Sequence, residues 1–574
     1  LINFKIKIVL IVFLSLTIIG LYFYRIKKND PQLSVLDNKV IKYMAPKAYV
    51  HKTLSQYKTV KLSSSISHIS SGNKKALDCL FKASTYLNNI YLKQIYKNND
   101  KILIELEKLK GTDYQIYYDM FSLMSGPWNH YDDNKSFINK INKPIGVSFY
   151  PEDITKDEFT NWIEKNPNDK EKLTSPFTII KRNENGLEAI PYVFYYKKLL
   201  EQSAKFLYEA ANFTDDKSLK DYLNKRAFEF THNVPFMNRD SDIAWLKNTS
   251  DIEISLGAHE TYDDCLFENK ASFHSFIAIA DRNENHKLNV LKKLKNKMEQ
   301  NFPISDQYKA VQKNKLASIR IVNEVFASGL YRLYSPTAFN YPNDPYVKDN
   351  FGSKQIMIKN VLKAKYKYIS KPIAQRILTS EAQDKVTFDT VFNIILMHEI
   401  GHSLGPASIN VEGKSIPVSD CLQENFWTIE ECKADLAGMH SINFVMNLKN
   451  ENPFPDKMEN SLYVSYLVRL FRNIRYGTKT AHGKAVLIQL NYHKQNKGLI
   501  LNENGLYQVN NDLLRKSIKD LLSEVLMIQA TGNKHRAASL IKNYAIESSE
   551  IKNALQKMEN IPKDIFPIFP MYSI

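Results

Sequence analysis

The sequence predicts an α+β protein in which helix predominates, preceded by a transmembrane helix at the N-terminus. Three observations carry this: long stretches with apolar residues at three-to-four spacing, a few short β-branched and aromatic runs, and one uninterrupted apolar run near the start. A chain of 574 residues is long enough for a large core or two lobes. Its 44% hydrophobic and 24% charged content is ordinary for a globular body.

The apolar run covers residues 8–24 (IVLIVFLSLTIIGLYFY), with Lys5 and Lys7 before it and Arg25, Lys27 and Lys28 after it. That is the short end of a membrane-spanning helix, roughly 17–25 residues. No small-residue cleavage site follows, and no cysteine stands near its end to take a lipid. Residues 1–29 are therefore expected as an uncleaved single-pass anchor, in a bacterial inner membrane with the body outside the cytoplasm. Basic residues on both flanks leave the orientation open. Residues 30–72 are polar, include SSSISHISSG, and are expected as a tether to a body over residues 73–574.

Within the body, Ala76, Leu77, Leu80, Phe81, Ala83 and Leu87 predict a helix. Thr155, three residues before Glu158, gives a capping-box start for another, through Trp162. Residues from Tyr192 to about Phe230 are helical in pattern, while PFTIIKR and AIPYVFYY read as strands. Asp512 to Met558 is mostly amphipathic helix, before the proline-rich tail IPKDIFPIFP.

The net charge of +17 comes from scattered Lys and Arg rather than blocks, with no finger or aromatic-interleaved sheet motif, so no nucleic-acid partner is expected. Four widely spaced cysteines without a CxxC pair make no disulfide framework.

The chemistry concentrates in DTVFNIILMHEIGHSLGP. Val391, Ile394, Ile395, Leu396 and Met397 form an apolar helix interior, and Gly405-Pro406 ends it. His398 and His402 are four residues apart, so both imidazoles project from one face and can grip one tetrahedral ion. Glu399 is placed to take a proton from a metal-activated water. An apolar helix carrying these three groups needs partners for them, because burying unpaired polar groups is costly. One zinc ion per chain is the expected partner.

A catalytic zinc needs a third protein ligand. TIEECKADLAGMHSINFV offers Glu431, with Asp435 one turn later on the same face to orient a histidine ligand. Glu430 is the rival ligand, though Ala434 one turn on has no such capacity; when Glu431 is the ligand, Glu430 joins Asp435 behind the zinc ligands. Thr428 and Glu431 also fit a capping box, which would occupy Glu431 on backbone groups. The two zinc-binding helices are expected within residues 388–446.

These motifs resemble the dipeptidyl-peptidase III family of zinc exopeptidases, which pairs a histidine-glutamate helix with a downstream EECRAE-like or EECKAD-like motif; this chain reads EECKAD at 430–435. HEIGH has the five-residue spacing of the bacterial branch, without the extra residue of the better-known members. The likeness runs from about Lys74 to Pro570 and implies two lobes around a wide cleft. Through GAHETYDDCLFENKASFHSFIAI it implies that Tyr262 stabilises the oxyanion and that Glu260 lies near the substrate amine. The family's second acid is replaced here by His274. FNYPND sets Asn340 and Asn343 on the family's substrate-holding asparagines. RYGTKTAHGKAV sets His482 on its transition-state histidine, with Lys484 near the family's following basic residue.

The expected activity is zinc-dependent hydrolysis of short peptides with release of N-terminal dipeptides. The alternatives are a zinc endopeptidase or other amide hydrolase on the same scaffold, and a catalytically silent, membrane-tethered peptide binder.

Overall fold

Helix makes up 55% of the protein, and its long helices follow the periodicity of the sequence. The computed structural model describes residues 31–309, 318–411 and 413–571. They form two lobes, each around its own apolar core.

In the first lobe, helices α1 (Ser71–Ile95), α2 (Lys197–Phe213) and α3 (Lys217–Thr231) cover a five-stranded sheet. Its strands are β1 (Ile252–Glu260), β2 (Ser272–Ala280), β3 (Ser318–Gly329), β4 (Ala338–Tyr341) and β5 (Lys354–Ile358). Their order is β1-β2-β3-β5-β4, which leaves β4 as an edge strand. The β3–β5 pair is parallel and the other pairs are antiparallel.

The second lobe is helical: α4 (Phe388–Gly401), α5 (Phe426–Met446), α6 (Met458–Ile474), α7 (Ala481–Gln495) and α8 (Asn511–Thr531). Two strands join the lobes. Because side chains alternate along a strand, Ile356 and Ile358 of β5 enter the sheet-lobe core while Met357 enters the helical core. Ile319 and Ile321 of β3 likewise face the helical core, and Val322 and Val325 the other. The seam between the lobes is thus continuous backbone.

The expected α+β class with a transmembrane helix is corrected to a mixed α/β, two-lobed fold. The parallel β3–β5 pair makes the sheet mixed, and among the described residues no helix is long and apolar enough to cross a membrane. The apolar run at 8–24 lies outside the described residues, so the expected single-pass membrane localisation has no structural support.

The polar stretch expected as a tether is built into the body over its described part. Leu33, Leu36, Ile41 and Val50 pack with Ile102, Leu106, Met120 and Phe121. The strand Tyr57–Lys61 pairs in parallel with Asp564–Ile568, which is the proline-rich tail. These apolar residues are isolated in sequence and find partners only at long range, so no local period announces them. AIPYVFYY also differs from expectation: its first half ends a strand at Pro191, and Tyr192–Tyr195 is a helical turn. The helix starts at Thr155 as expected, its hydroxyl accepting from the Glu158 N–H at 3.1 Å, but the Glu158 carboxylate pairs with Arg182 instead of closing the capping box.

Two glycines set the crossing of α4 and α5. A Cβ on Gly401 would meet the Ala434 carbonyl oxygen at 2.4 Å, and one on Gly438 would meet the Met397 carbonyl at 2.8 Å. The helices therefore touch backbone to backbone, close enough for short carboxylate side chains on one to reach imidazoles on the other. Gly401→Ala or Gly438→Ala is expected to cost about 1–3 kcal/mol, the usual penalty of overpacking. A lowered thermal unfolding midpoint checks this; an unchanged one would mean the contact is dispensable.

Candidate active site

α4 starts on the Thr387 side chain, which caps the Thr390 N–H, and buries Val391, Phe392, Ile394, Ile395, Leu396 and Met397 in the helical core. Its polar residues face α5. Thr428 lies inside α5, whose N-cap is Asn425, so the capping-box use of Glu431 does not occur. Cys432, also on α5, is buried in the apolar core.

Both imidazoles are gripped from behind. His398 Nδ1 lies 2.6 Å from Asp435 Oδ1, and His402 Nδ1 lies 2.8 Å from Glu430 Oε1. An ionised carboxylate only accepts, so each Nδ1 carries the proton and each Nε2 keeps a free lone pair. Arg469 pairs with Asp435, and Gln489 donates to its other oxygen at 3.0 Å. Burial would raise the Asp435 pKa, but Arg469 and His398 hold it far below the usual carboxylate range. Glu430 is buried too, yet Lys433 and His402 bring it down to about 2. Gln529 donates to its second oxygen at 2.8 Å. Lys433 Nζ, 2.9 Å from Glu430, also donates to the carbonyls of Gly401 and Leu404, each at 2.9 Å, tying down the end of α4.

The free nitrogens converge on Glu431. Its Oε2 lies 3.5 Å from His398 Nε2 and 3.9 Å from His402 Nε2. This oxygen is buried and accepts no hydrogen bond from the described residues. His482 Nδ1 stands 3.0 Å away, an ion-pair distance without hydrogen-bond geometry. Glu431 raises the His482 pKa; conversely His482, His398 and His402 lower that of Glu431 against its burial. The His482 side chain is 65% exposed, so it is not an interior histidine. Two imidazole nitrogens around an orphaned buried carboxylate oxygen fit a divalent cation with mixed nitrogen and oxygen ligands.

Glu399 stands beside this centre, with one donor atom each of His398, Glu399 and His402 lying within 4.8 Å of one another. Its carboxylate differs from that of Glu431 in being already engaged: Oε2 accepts from the Gln355 side-chain amide of β5. A cavity of about 560 Å³ opens next to His402, between Ser403 to Ala407 and residues 351–353 of the sheet lobe.

A second group lies on the sheet lobe. Glu260, at the end of β1, accepts from Tyr341 Oη at 2.8 Å, and Tyr331 donates to Tyr341 at 2.6 Å. Asn343 Nδ2 donates to the His259 carbonyl at 3.1 Å and lies 3.5 Å from Glu260 Oε2. Tyr262 is 71% exposed, with its pKa raised by Glu260. Asn340 lies on edge strand β4, directly opposite Gln355 of β5. His274 is buried behind this group against Ser255 and Tyr341, and burial keeps its pKa well below normal. A neutral interior imidazole thus occupies the position of the family's second acid.

The structure therefore brings together His398, Glu399, His402, Glu431 and His482, backed by Glu430 and Asp435. Glu260, Tyr262 and Asn343 gather on the other lobe, while Asn340 lies apart from them on β4, opposite the Gln355 that reaches Glu399. Sequence reasoning missed Gln355, Tyr341, Arg469, Gln489 and Gln529, which come from distant segments. Lys433 was within reach, since a lysine three residues after Glu430 meets it on one helix face.

The model of peptidase family M49 matches residues 128–407. The structure resembles dipeptidyl-peptidase III from Caldithrix abyssi, with 36% identity, a TM-score of 0.85, and coverage of 91% of this chain and 99% of that one. Dipeptidyl-peptidase III from Corallococcus sp. strain EGB is similar at 29% identity and a TM-score of 0.74, over 92% and 98% of the two chains. Nudix hydrolase 3 of Arabidopsis thaliana is 29% identical over 584 residues, covering 91% of this chain and 74% of the plant protein. Fold and site together define a metallopeptidase. The chain belongs to peptidase family M49, the dipeptidyl-peptidase III family.

Replacing Lys433 by Met removes the cation beside Glu430, which keeps only His402 and Gln529, and takes the donor from two helix-end carbonyls. The expected cost is about 3–5 kcal/mol, as for breaking other buried ion pairs from one side. Denaturant unfolding measures it, and a loss indistinguishable from zero would contradict the clamp.

Proposed function

We propose that this metallopeptidase uses one zinc ion, held by His398, His402 and Glu431, to release dipeptides from the amino terminus of short peptides. The observation that carries the reading is the pair of free Nε2 lone pairs aimed at the orphaned, buried Glu431 oxygen. Two histidines and a glutamate form a recurring catalytic zinc set that leaves a position open. Zinc, when bound, supplies Lewis-acid polarisation of the scissile carbonyl and acidifies a water.

The residues of the chain do the rest. Glu399 takes the proton of the attacking water and delivers it to the leaving amine. His482 and, after the lobes close, Tyr262 donate to the developing oxyanion. Asp435 and Glu430 hold the two imidazoles in register. On the other lobe, Glu260 receives the free ammonium group of the peptide, with Asn343 beside it and Tyr341 fixing its carboxylate. Edge strand β4 offers unpaired backbone groups and Asn340 to an extended peptide. An ammonium anchor at a fixed distance from the zinc makes the enzyme count residues from the N-terminus.

Glu399→Gln is expected to keep full metal content and lose about 10²–10⁴-fold in kcat, the usual share of general acid–base catalysis. Glu431→Ala is expected to lose most of its zinc, and Glu430→Ala less. Metal analysis and turnover on the same preparations check both, and a zinc-free Glu430→Ala beside a zinc-loaded Glu431→Ala would reverse the assignment.

For an unblocked pentapeptide the expected product is the N-terminal dipeptide, and N-acetylation should abolish cleavage. Glu260→Gln should raise KM about 10-fold or more, from loss of a charged hydrogen bond. Equal cleavage of blocked and unblocked peptides would favour an endopeptidase.

A further inference from the structure

We propose that Gln355 is a positioning residue that sets the Glu399 carboxylate for proton transfer and ties it to the strand pair facing the peptide. The inference rests on Glu399 being the base. The two imidazoles of the centre are already held from behind. His398 is held by Asp435 and His402 by Glu430, both from α5. Glu399 has no such partner on the helical lobe; among the described residues its one hydrogen bond comes from the Gln355 amide. A glutamate has three side-chain torsions, so without that contact its carboxylate is free to turn away from the reacting water.

The chemistry of the donor matters as much as its place. A lysine or arginine there would fix the carboxylate equally well but would favour its charged form and weaken it as a base. A neutral amide orients one oxygen and leaves the other free to accept the proton. Gln355 reaches Glu399 from the sheet lobe, on β5, whose neighbours Ile356 and Met357 are locked into the two cores. It is also the direct cross-strand partner of Asn340 on edge strand β4. Opposed residues in an antiparallel pair share a face, so Asn340 and Gln355 form one polar step between the peptide-facing edge and the base. A peptide seated along β4 therefore presses on the strand pair that holds Glu399.

The test compares Gln355→Ala and the near-isosteric, uncharged Gln355→Met for kcat, KM, zinc per chain and thermal midpoint, in the wild-type and Glu399→Gln backgrounds. Both variants are expected to lose about a hundredfold in kcat, as for a misplaced catalytic group, with KM, zinc content and midpoint near wild type. A space-filling role would leave Gln355→Met active, because methionine keeps the length and volume of the side chain, adds no charge and removes the amide donor. In the Glu399→Gln background neither change should add a further loss, since coupled residues are not additive. Wild-type kcat in Gln355→Met, or a loss carried by KM or zinc content, overturns the proposal. Full activity in Glu399→Gln alone would bring down the assignment of the base, and this inference with it.

Discussion

Two imidazoles point their Nε2 atoms at one place only if something fixes their far nitrogens. Here each far nitrogen is bound to a carboxylate from the crossing helix, Asp435 for His398 and Glu430 for His402. Those carboxylates are buried, and a buried charge is tolerable only when it is paired and fully hydrogen-bonded. The surrounding helices supply the partners: Arg469 from α6, Gln489 from α7, Gln529 from α8 and Lys433 from α5 itself. The arrangement of the helical lobe follows from this requirement as much as from its apolar packing. The near-contact of α4 and α5 at Gly401 and Gly438 makes the short reach of Asp435 sufficient.

The other half of the chemistry sits on the sheet, so the two lobes must be held together and still be able to close. Strands β3 and β5 meet this demand by giving alternate residues to each core. The Gln355 contact lies on that seam, as does the approach from Asn340. Tyr262 is exposed on the sheet lobe, and the proposed mechanism gives it a role only once closure carries it toward the metal centre.

Much of the metal centre was legible because it is local. His398 and His402 lie on one face of α4 with Glu399 beside the first, and Glu431 and Asp435 share a face of α5, so helical spacing alone related them. Glu430 was read both as a rival ligand and, with Asp435, as a group behind the ligands; the structure binds it to His402 Nδ1, and which histidine it holds depends on the crossing angle of two helices. Gln355, Arg469 and Gln489 reach the site from elsewhere in the chain, and nothing in their neighbours marks them. His274 stands where the resemblance leads one to expect an acid, and its burial, which no local pattern announces, makes it an interior group. The same limit applies to the fold: long helices declared their period, whereas residues 31–62 looked like a tether because their buried side chains are singly spaced and meet distant partners.

The central claim is one metal at the crossing of α4 and α5, between His398, His402 and Glu431. A crystal of zinc-loaded protein, measured with X-rays on both sides of the zinc absorption edge, tests it most directly. The account predicts one anomalous peak bounded by His398 Nε2, His402 Nε2 and a Glu431 carboxylate oxygen, with Glu399 alongside but not coordinating. A peak coordinated by Glu430, or none within reach of the two histidines, would contradict it.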